Sequence, residues 1–174
     1  MTMRALAMLL TLTGLAIASG CGTVPRTRTL PTSIQSVYVP MAVNRSSEPQ
    51  IEEDLTRYVQ EELLADGRLD LVQRGRANAH IEVKITQFLR ETFGTDGDDL
   101  PVTMRYRVRG ELQVRENIAD RPPIGGAREV TASVIVNGDP RTTTYEPEPR
   151  QIEQALRAFA REVVREAITG EYQP

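Results

Sequence analysis

Apolar and polar residues alternate with a period of two along three stretches in the second half of the chain. In residues 79–89, 102–115 and 128–136 most alternate positions are apolar, with Phe88 as an exception to the alternation. The apolar positions are Ala79, Ile81, Val83, Ile85 and Leu89 in the first stretch, Val102, Met104, Tyr106, Val108, Leu112 and Val114 in the second, and Val130, Ala132, Val134 and Val136 in the third. Such alternation predicts β-strands with one buried face and one face open to solvent or to a partner. The segments between them are rich in Gly, Asp and Pro, which predicts hairpin connections.

Two other stretches repeat their apolar residues with the period of an α-helix. The first is followed by Asp66-Gly67 and the second by Gly170, and glycine is typical of a helix C-terminus. Ser47 and Gln50, with Pro49 between them, predict a capping box at the start of the first helix. The apolar stripes are Ile51, Leu55, Tyr58, Val59 and Leu63 in the first helix, and Ile152, Ala155, Leu156, Phe159, Val163 and Ala167 in the second.

Shorter apolar segments at 34–39 and 69–72 predict a first strand and a short strand after the first helix. The order is therefore strand, helix, short strand, three strands, helix. Two helices that cover one face of a sheet bury every apolar face of such a chain. The sequence predicts an α+β two-layer sandwich, with a mainly antiparallel sheet of about four strands and two helices on one face.

Composition excludes most catalytic and metal-binding classes. The 174 residues contain one Cys and one His, so neither a disulfide framework nor a Cys/His zinc cluster is possible. No glycine-rich phosphate loop, serine elbow or helical HExxH motif is present. His80 falls on the polar side of its strand and is interpreted as an exposed bystander. We therefore expect a protein without cofactor, metal or catalytic site.

The charge balance argues against nucleic acid as a partner. The formal net charge is −3, and Lys84 is the only lysine among 21 basic residues. Nucleic-acid binding would require an excess of clustered basic residues. The abundance of Arg is interpreted as coding bias.

The first 20 residues have the pattern of an export signal. Arg4 precedes an apolar stretch from Ala5 to Ala18, which is shorter than the ~20 residues that cross a bilayer. The small residues before Cys21 resemble a bacterial lipobox, after which the cysteine becomes the acylated first residue. The alternative is an ordinary signal peptide with an incidental cysteine. The predicted organisation is a signal peptide at 1–20, an acylated Cys21 with a tether at 21–33, and one domain at 34–170.

The polar face of the predicted sheet gathers basic residues. Arginine presents a planar fork that suits phosphate or carboxylate, so the face could bind an anionic ligand or a negative partner surface. The alternative is that bases and acids pair across strands on a solvated face. The bases are Lys84, Arg105, Arg107, Arg109 and Arg115, and the acids among them are Glu82, Glu111 and Glu129.

Several segments resemble the lipopolysaccharide-assembly lipoproteins of the LptE family. The resemblance is close from Gly20 to Glu91 and weaker beyond, and the region from Arg115 to Gly126 departs from the family pattern with a longer Pro-rich loop. The segments that carry it are Leu15 to Gly22, Leu30-Pro31, Ile34 to Val39, Pro40 to Arg45, Ile51 to Thr56, Asp66 to Leu69, and Ala77 to Ile81.

The resemblance implies an outer-membrane lipoprotein on the periplasmic side, anchored through acyl chains on Cys21. It also implies an α+β domain that plugs a large, LptD-like outer-membrane β-barrel, assists its folding and helps deliver lipopolysaccharide. Family members bind lipopolysaccharide, and its phosphates would fit Arg105, Arg107, Arg109 and Lys84. The alternative is an accessory substrate-binding lipoprotein of an envelope lipid or solute transporter.

Overall fold

The computed structural model describes residues 28–95, 101–118, 120–137 and 148–170, which form one sheet and two long helices. The elements follow the predicted order, with one additional two-residue strand. Their bounds are β1 Ser36–Tyr38, β2 Val43–Asn44, α1 Glu52–Asp66, β3 Asp70–Leu71, a 3-10 turn Arg74–Arg76, β4 Ala79–Thr95, β5 Pro101–Glu116, β6 Ile124–Asn137 and α2 Glu148–Thr169.

The sheet is mixed and has six strands, which corrects the prediction of about four mainly antiparallel strands. Its order is β3-β1-β4-β5-β6, and β2 lies against β4. The long strands β4, β5 and β6 are antiparallel, whereas β1, β2 and β3 form only parallel pairs. Because α1 lies between β1 and β3 in the chain, these neighbours run in the same direction. Strands of two or three residues are too short to show a period, so the alternation could not reveal their pairing.

A β-bulge at Thr86 explains why Phe88 breaks the alternation in β4. Ile85 pairs with Gly110 and Gln87 pairs with Arg109, so Thr86 is an extra residue in the ladder. Up to Ile85 the odd positions of β4 are buried, whereas after the bulge Phe88 is buried. A bulge shifts the facing of all the residues that follow it. Phe88 therefore lies in the core and not on the polar face.

Helix α1 buries the predicted stripe but does not begin as predicted. Gly67 ends the helix in the left-handed conformation, with φ of 69°, and its N–H donates to the carbonyl of Leu63. The predicted capping box is wrong: the helix begins at Glu52, and Ile51 provides no side-chain cap. Gln50 has a φ of 61°, which interrupts helical geometry between Pro49 and the first turn.

The two helices pack side by side on one face of the sheet, as predicted. Helix α2 contacts β5, β6 and α1, and the predicted stripes of both helices lie in one buried cluster with the strands. At one end of α2, the hydroxyl of Tyr106 donates to Gln151, and both residues are buried. At the other end, Arg128 of β6 donates to the carbonyl of Glu166 at 2.9 Å. Within the described ranges, no helix combines the length and apolarity needed to cross a membrane.

The chain enters the fold beside the C-terminus of α2. The N–H groups of Thr29 and Leu30 donate to the carbonyl of Ile168 at 3.1 and 3.3 Å. Leu30 and Ile34 are both buried in the core cluster. The last residues of the predicted tether are thus part of the folded domain.

Candidate interaction surface

The sheet face that the helices leave uncovered gathers the predicted basic residues. Arg105, Arg107 and Arg109 occupy alternate positions of β5, so they lie in one row about 7 Å apart. Lys84 lies on β4 opposite Glu111, in the same ladder as the arginine row. We call this surface the uncovered face, and the structure brings all four predicted residues together on it.

Four bases of the uncovered face form ion pairs with acids of neighbouring strands. Each pair joins two strands, so the bases are neutralised within the sheet as the pairing interpretation predicts. The pairs are Lys84 with Glu111 at 3.0 Å, Arg107 with Glu91 at 3.4 Å, Arg109 with Glu129 at 3.5 Å, and Arg115 with Glu82 at 3.1 Å.

These ion pairs are accessible to water and therefore weak. The side chain of Arg109 is 45% exposed and that of its partner Glu129 is 68% exposed. Exposed pairs of this kind contribute about 0–1 kcal/mol each, because water and salt screen the charges. An anionic group that offers a bidentate contact can therefore replace a carboxylate on these guanidinium groups at little cost.

Glu91 is the residue of this face that the alternation missed. It lies opposite Arg105 in the ladder and pairs diagonally with Arg107. The bulge at Thr86 moves Glu91 to the uncovered face, although its odd number assigns it to the buried one. The signal in the sequence was Phe88, whose apolar side chain at an even position marks the same shift.

His80 lies on the uncovered face but is not the exposed bystander that its position predicts. Its ring is half-buried and packs edge-on against Tyr38, with ring centroids 5.6 Å apart. Its Nε2 atom is buried and has no hydrogen-bond partner among the residues that the structure describes. This environment makes His80 a packing residue at the β1–β4 junction.

A shallow cleft of about 310 Å³ opens beside the uncovered face where β1 and β2 separate. Pro40 lacks an N–H for the ladder, and the N–H of Ala42 donates to Thr56 of α1 instead of to β4. The segment between β1 and β2 therefore leaves the ladder, and Met41 and Val43 are exposed on one wall of the cleft. The other wall contains the Lys84–Glu111 pair. The cleft thus has an apolar wall that faces an ionic one.

Cys21 and the predicted signal peptide lie outside the described residues. Among those described, no group of three or more His, Cys, Asp or Glu side chains is arranged to hold a metal ion. The uncovered face is a polar surface on which bases and acids of neighbouring strands are paired.

The folded domain matches a known protein family. A family model described as lipopolysaccharide-assembly, LptE, matches residues 34–168. No curated protein sequence matches the chain.

Solved structures share the fold at low sequence identity. A minor lipoprotein from Acinetobacter baumannii superposes with a TM-score of 0.50 and 16% identity, over 83% of this chain and 100% of that one. A hypothetical protein from Chlamydia trachomatis gives a TM-score of 0.53 and 9% identity, over 77% and 95%. A protein from Xanthomonas campestris gives 0.51 and 13%, over 80% and 88%. At these identities the likeness concerns the fold alone.

Proposed function

Because the chain belongs to the LptE family of lipopolysaccharide-assembly proteins, we propose that it is a non-enzymatic outer-membrane lipoprotein. In this proposal Cys21 is acylated and holds the domain on the periplasmic side of the membrane. The domain plugs a large β-barrel, assists its folding and takes part in the delivery of lipopolysaccharide.

The observation that supports the plug role best is the uncovered face. The lumen of a large outer-membrane barrel is polar and contains water. A sheet face whose charges pair with one another, while staying accessible to water, suits contact with such a lumen better than contact with lipid tails. The apolar core lies between the sheet and the helices on its opposite face, so contacts that the uncovered face makes do not disturb the core.

The arginine row supports a second contact, with the phosphates of lipopolysaccharide. Arg105, Arg107 and Arg109 present guanidinium forks along one strand, and Lys84 extends the basic surface across β4. Because the carboxylate partners of Lys84, Arg107 and Arg109 are exposed, exchange of one of these carboxylates for a phosphate leaves no buried charge without a partner. The contact is therefore compatible with the ion pairs of the face.

Affinity isolation of the acylated protein from detergent-solubilised outer membranes tests the plug role. We expect a large β-barrel to be recovered in stoichiometric amount. Recovery of an inner-membrane transporter in its place would contradict the proposal and support the accessory substrate-binding role.

A triple substitution of Arg105, Arg107 and Arg109 by Gln tests the second contact. Gln avoids new repulsion with the neighbouring acids, and we expect at least a tenfold loss of lipopolysaccharide affinity, about 1.4 kcal/mol or more. The matched control replaces three exposed arginines of helix α2, on the opposite side of the sheet: Arg150, Arg161 and Arg165. Unchanged lipopolysaccharide binding and unchanged barrel recovery in the first variant would reject a role for the row.

A further inference from the structure

One end of the domain is where the chain arrives from Cys21. The first described residues are fixed there by several hydrogen bonds: the N–H groups of Thr29 and Leu30 donate to Ile168, the hydroxyl of Thr29 donates to Ile168 and Gly170, and the guanidinium of Arg28 donates to the carbonyls of Pro31 and Ile34. Since β4 starts and β5 finishes at this end, we call it the anchor end. It contains the described residues within 28–36, 74–78, 116–124 and 168–170.

The 3-10 turn and the start of the β5–β6 connection belong to the same end. The hydroxyl of Ser36 donates to the carbonyl of Arg76, and the N–H of Asn117 donates to the carbonyl of Asn78 at 2.8 Å. The side chain of Asn117 also donates to the carbonyl of Ala77 at 3.1 Å. These bonds place the turn beside Ile118, which directly follows Asn117.

The anchor end exposes two arginines and one large apolar side chain. Arg74 and Arg76 are exposed, and neither forms an ion pair with a residue that the structure describes. Ile118 is 53% exposed. Acids are also present: Glu116, the last residue of β5, pairs with Arg121, and Asp120 is exposed in the β5–β6 connection, but the turn itself contains none.

The tether holds this end close to the membrane. Seven residue steps separate Cys21 from Arg28, and an extended chain of that length spans at most about 25 Å. Arg105 precedes Glu116 by eleven residues in β5, a distance of about 36 Å along the strand. Ile135 of β6 pairs with Arg105 and is therefore equally far from the anchor end. The anchor end is therefore within reach of the leaflet, whereas the Arg105 half of the sheet lies about 36 Å further from the tether.

We propose that the anchor end docks on the anionic phospholipid surface of the leaflet that holds the acyl chains. Arg74 and Arg76 bind headgroup phosphates, and Ile118 enters the interface between headgroups and acyl chains. The contact adds a second attachment to the acyl anchor and fixes the orientation of the domain. It rests on the acylation of Cys21 that the proposed function includes.

Site-specific quenching in vesicles tests the orientation. Acylation consumes the thiol of the only cysteine, so a cysteine introduced in the mature lipoprotein can be labelled alone with a fluorophore. The two labelled variants are Ile118→Cys at the anchor end and Ile135→Cys, whose isoleucine is 50% exposed and provides a matched control. In vesicles of phosphatidylglycerol and phosphatidylcholine with brominated acyl chains, we expect quenching at position 118 and none at position 135.

Charge reversal tests the headgroup contact. Arg74→Glu with Arg76→Glu is expected to reduce quenching at position 118 at least twofold in the anionic vesicles, with little change in vesicles of phosphatidylcholine alone. Arg45→Glu with Arg150→Glu changes the net charge equally at exposed positions away from the anchor end, and we expect no effect.

Equal quenching at both positions, or none at position 118, would overturn the proposal. So would quenching at 118 that does not respond to the reversal of Arg74 and Arg76. If position 118 becomes shielded only when the β-barrel is reconstituted with the lipoprotein, the surface belongs to a protein partner and the membrane contact is wrong. Barrel recovery from outer membranes is a separate measurement, so failure here is distinguishable from failure of the proposed function.

Discussion

At the scale of single residues, Gly110 determines how closely α2 approaches the sheet. It lies in β5 on the face that the helices cover, opposite Ile85 of β4. A Cβ atom at this position would lie 2.5 Å from the carbonyl oxygen of Lys84 and 2.7 Å from the ring of Phe159. Phe159 is fully buried, so its ring cannot move away without disturbing the core.

We predict that Gly110→Ala lowers the free energy of unfolding by about 1–3 kcal/mol, the usual cost of overpacking a core. Gly75→Ala is the matched control, because a Cβ at Gly75 meets no atom within 4 Å. Urea denaturation of both variants measures the difference. A loss at Gly110 no larger than that at Gly75 would show that α2 does not pack on Gly110 as described.

The ion-pair partners of the β5 arginines depend on which residues of the adjacent strands face the same side of the sheet. Sequence alone placed Arg105, Arg107 and Arg109 on one polar face correctly, because alternation determines facing within a regular strand. It could not identify Glu91 as a partner of Arg107, because the bulge at Thr86 changes the facing of β4 after Ile85. The local signs of that change are the apolar Phe88 at an even position and the polar Gln87 at an odd one.

At the scale of elements, the bulge makes a prediction about deletions in β4. Thr86 and Gln87 together occupy the place of one ladder residue, so removal of Thr86 leaves Ile85 and Phe88 both facing the core. Removal of Glu82, in the regular part of the strand, instead places either Ile81 or Val83 on the uncovered face.

We expect the Thr86 deletion to fold with a loss of about 0.5–3 kcal/mol, within the range of ordinary substitutions. Part of that loss is the hydrogen bond from the Thr86 hydroxyl to the carbonyl of Arg109. The Glu82 deletion is expected to lose cooperative thermal unfolding, measured by circular dichroism. Equal damage from the two deletions would contradict the assignment of Thr86 as the extra residue.

Arg157 links the two helices at their exposed edge. Its guanidinium pairs with Glu61 of α1 at 2.9 Å and with Glu153 of α2 at 3.0 Å, and it lies 4.2 Å from the centre of the Tyr58 ring. Hydrogen bonding to Glu153 is the main cause that raises the pKa of Arg157. The side chain therefore joins a cation–π contact to two ion pairs at one point.

We predict that Arg157→Ala lowers the free energy of unfolding by about 1 kcal/mol, the sum expected of exposed contacts of these kinds. Arg161→Ala provides the control, since Arg161 is 57% exposed and its contact with Glu62 of α1 is longer, at 4.0 Å. Thermal unfolding at low and at high salt separates the contributions, because salt screens the ion pairs more than the ring contact. Equal effects of the two substitutions would reject this role of Arg157.

Sequence periodicity predicted the long elements of this fold and missed the short ones for a physical reason. Strands of fourteen or more residues, such as β4 and β6, repeat the alternation several times. β2, with two residues, contains no period at all, and its parallel pairing depends on the path of Pro40 to Ala42 around the cleft. The cap of α1 was missed because Gln50 adopts a left-handed conformation that favours glycine and asparagine over glutamine.

At the scale of the whole molecule, the start of the described chain closes against its end. Thr29 and Ile168 are 139 residues apart, yet their backbones are joined by a hydrogen bond. The composition from Gly22 to Ser33 predicts a tether, because the Pro, Thr and Arg residues there show no periodicity. A single buried leucine among such residues gives no periodic signal, so sequence alone could not reveal where the domain begins.

Leu30 provides the test of where the folded domain begins. Its side chain is 2% exposed, whereas that of Thr32, two residues later, is exposed. If Leu30 belonged to a solvated tether, its truncation would leave stability unchanged. Because it is buried beside the C-terminus of α2, we predict that Leu30→Ala lowers the free energy of unfolding by about 2–5 kcal/mol.

Thr32→Ala is the control for that measurement, with an expected change within about 0.5 kcal/mol. Hydrogen exchange at the amides of Thr29 and Leu30 supplies a second readout, because both donate to the carbonyl of Ile168 and are expected to be protected. If both amides exchange freely and Leu30→Ala matches Thr32→Ala, the domain begins later in the chain. The tether would then be longer, and the anchor end would no longer be confined to within about 25 Å of the leaflet.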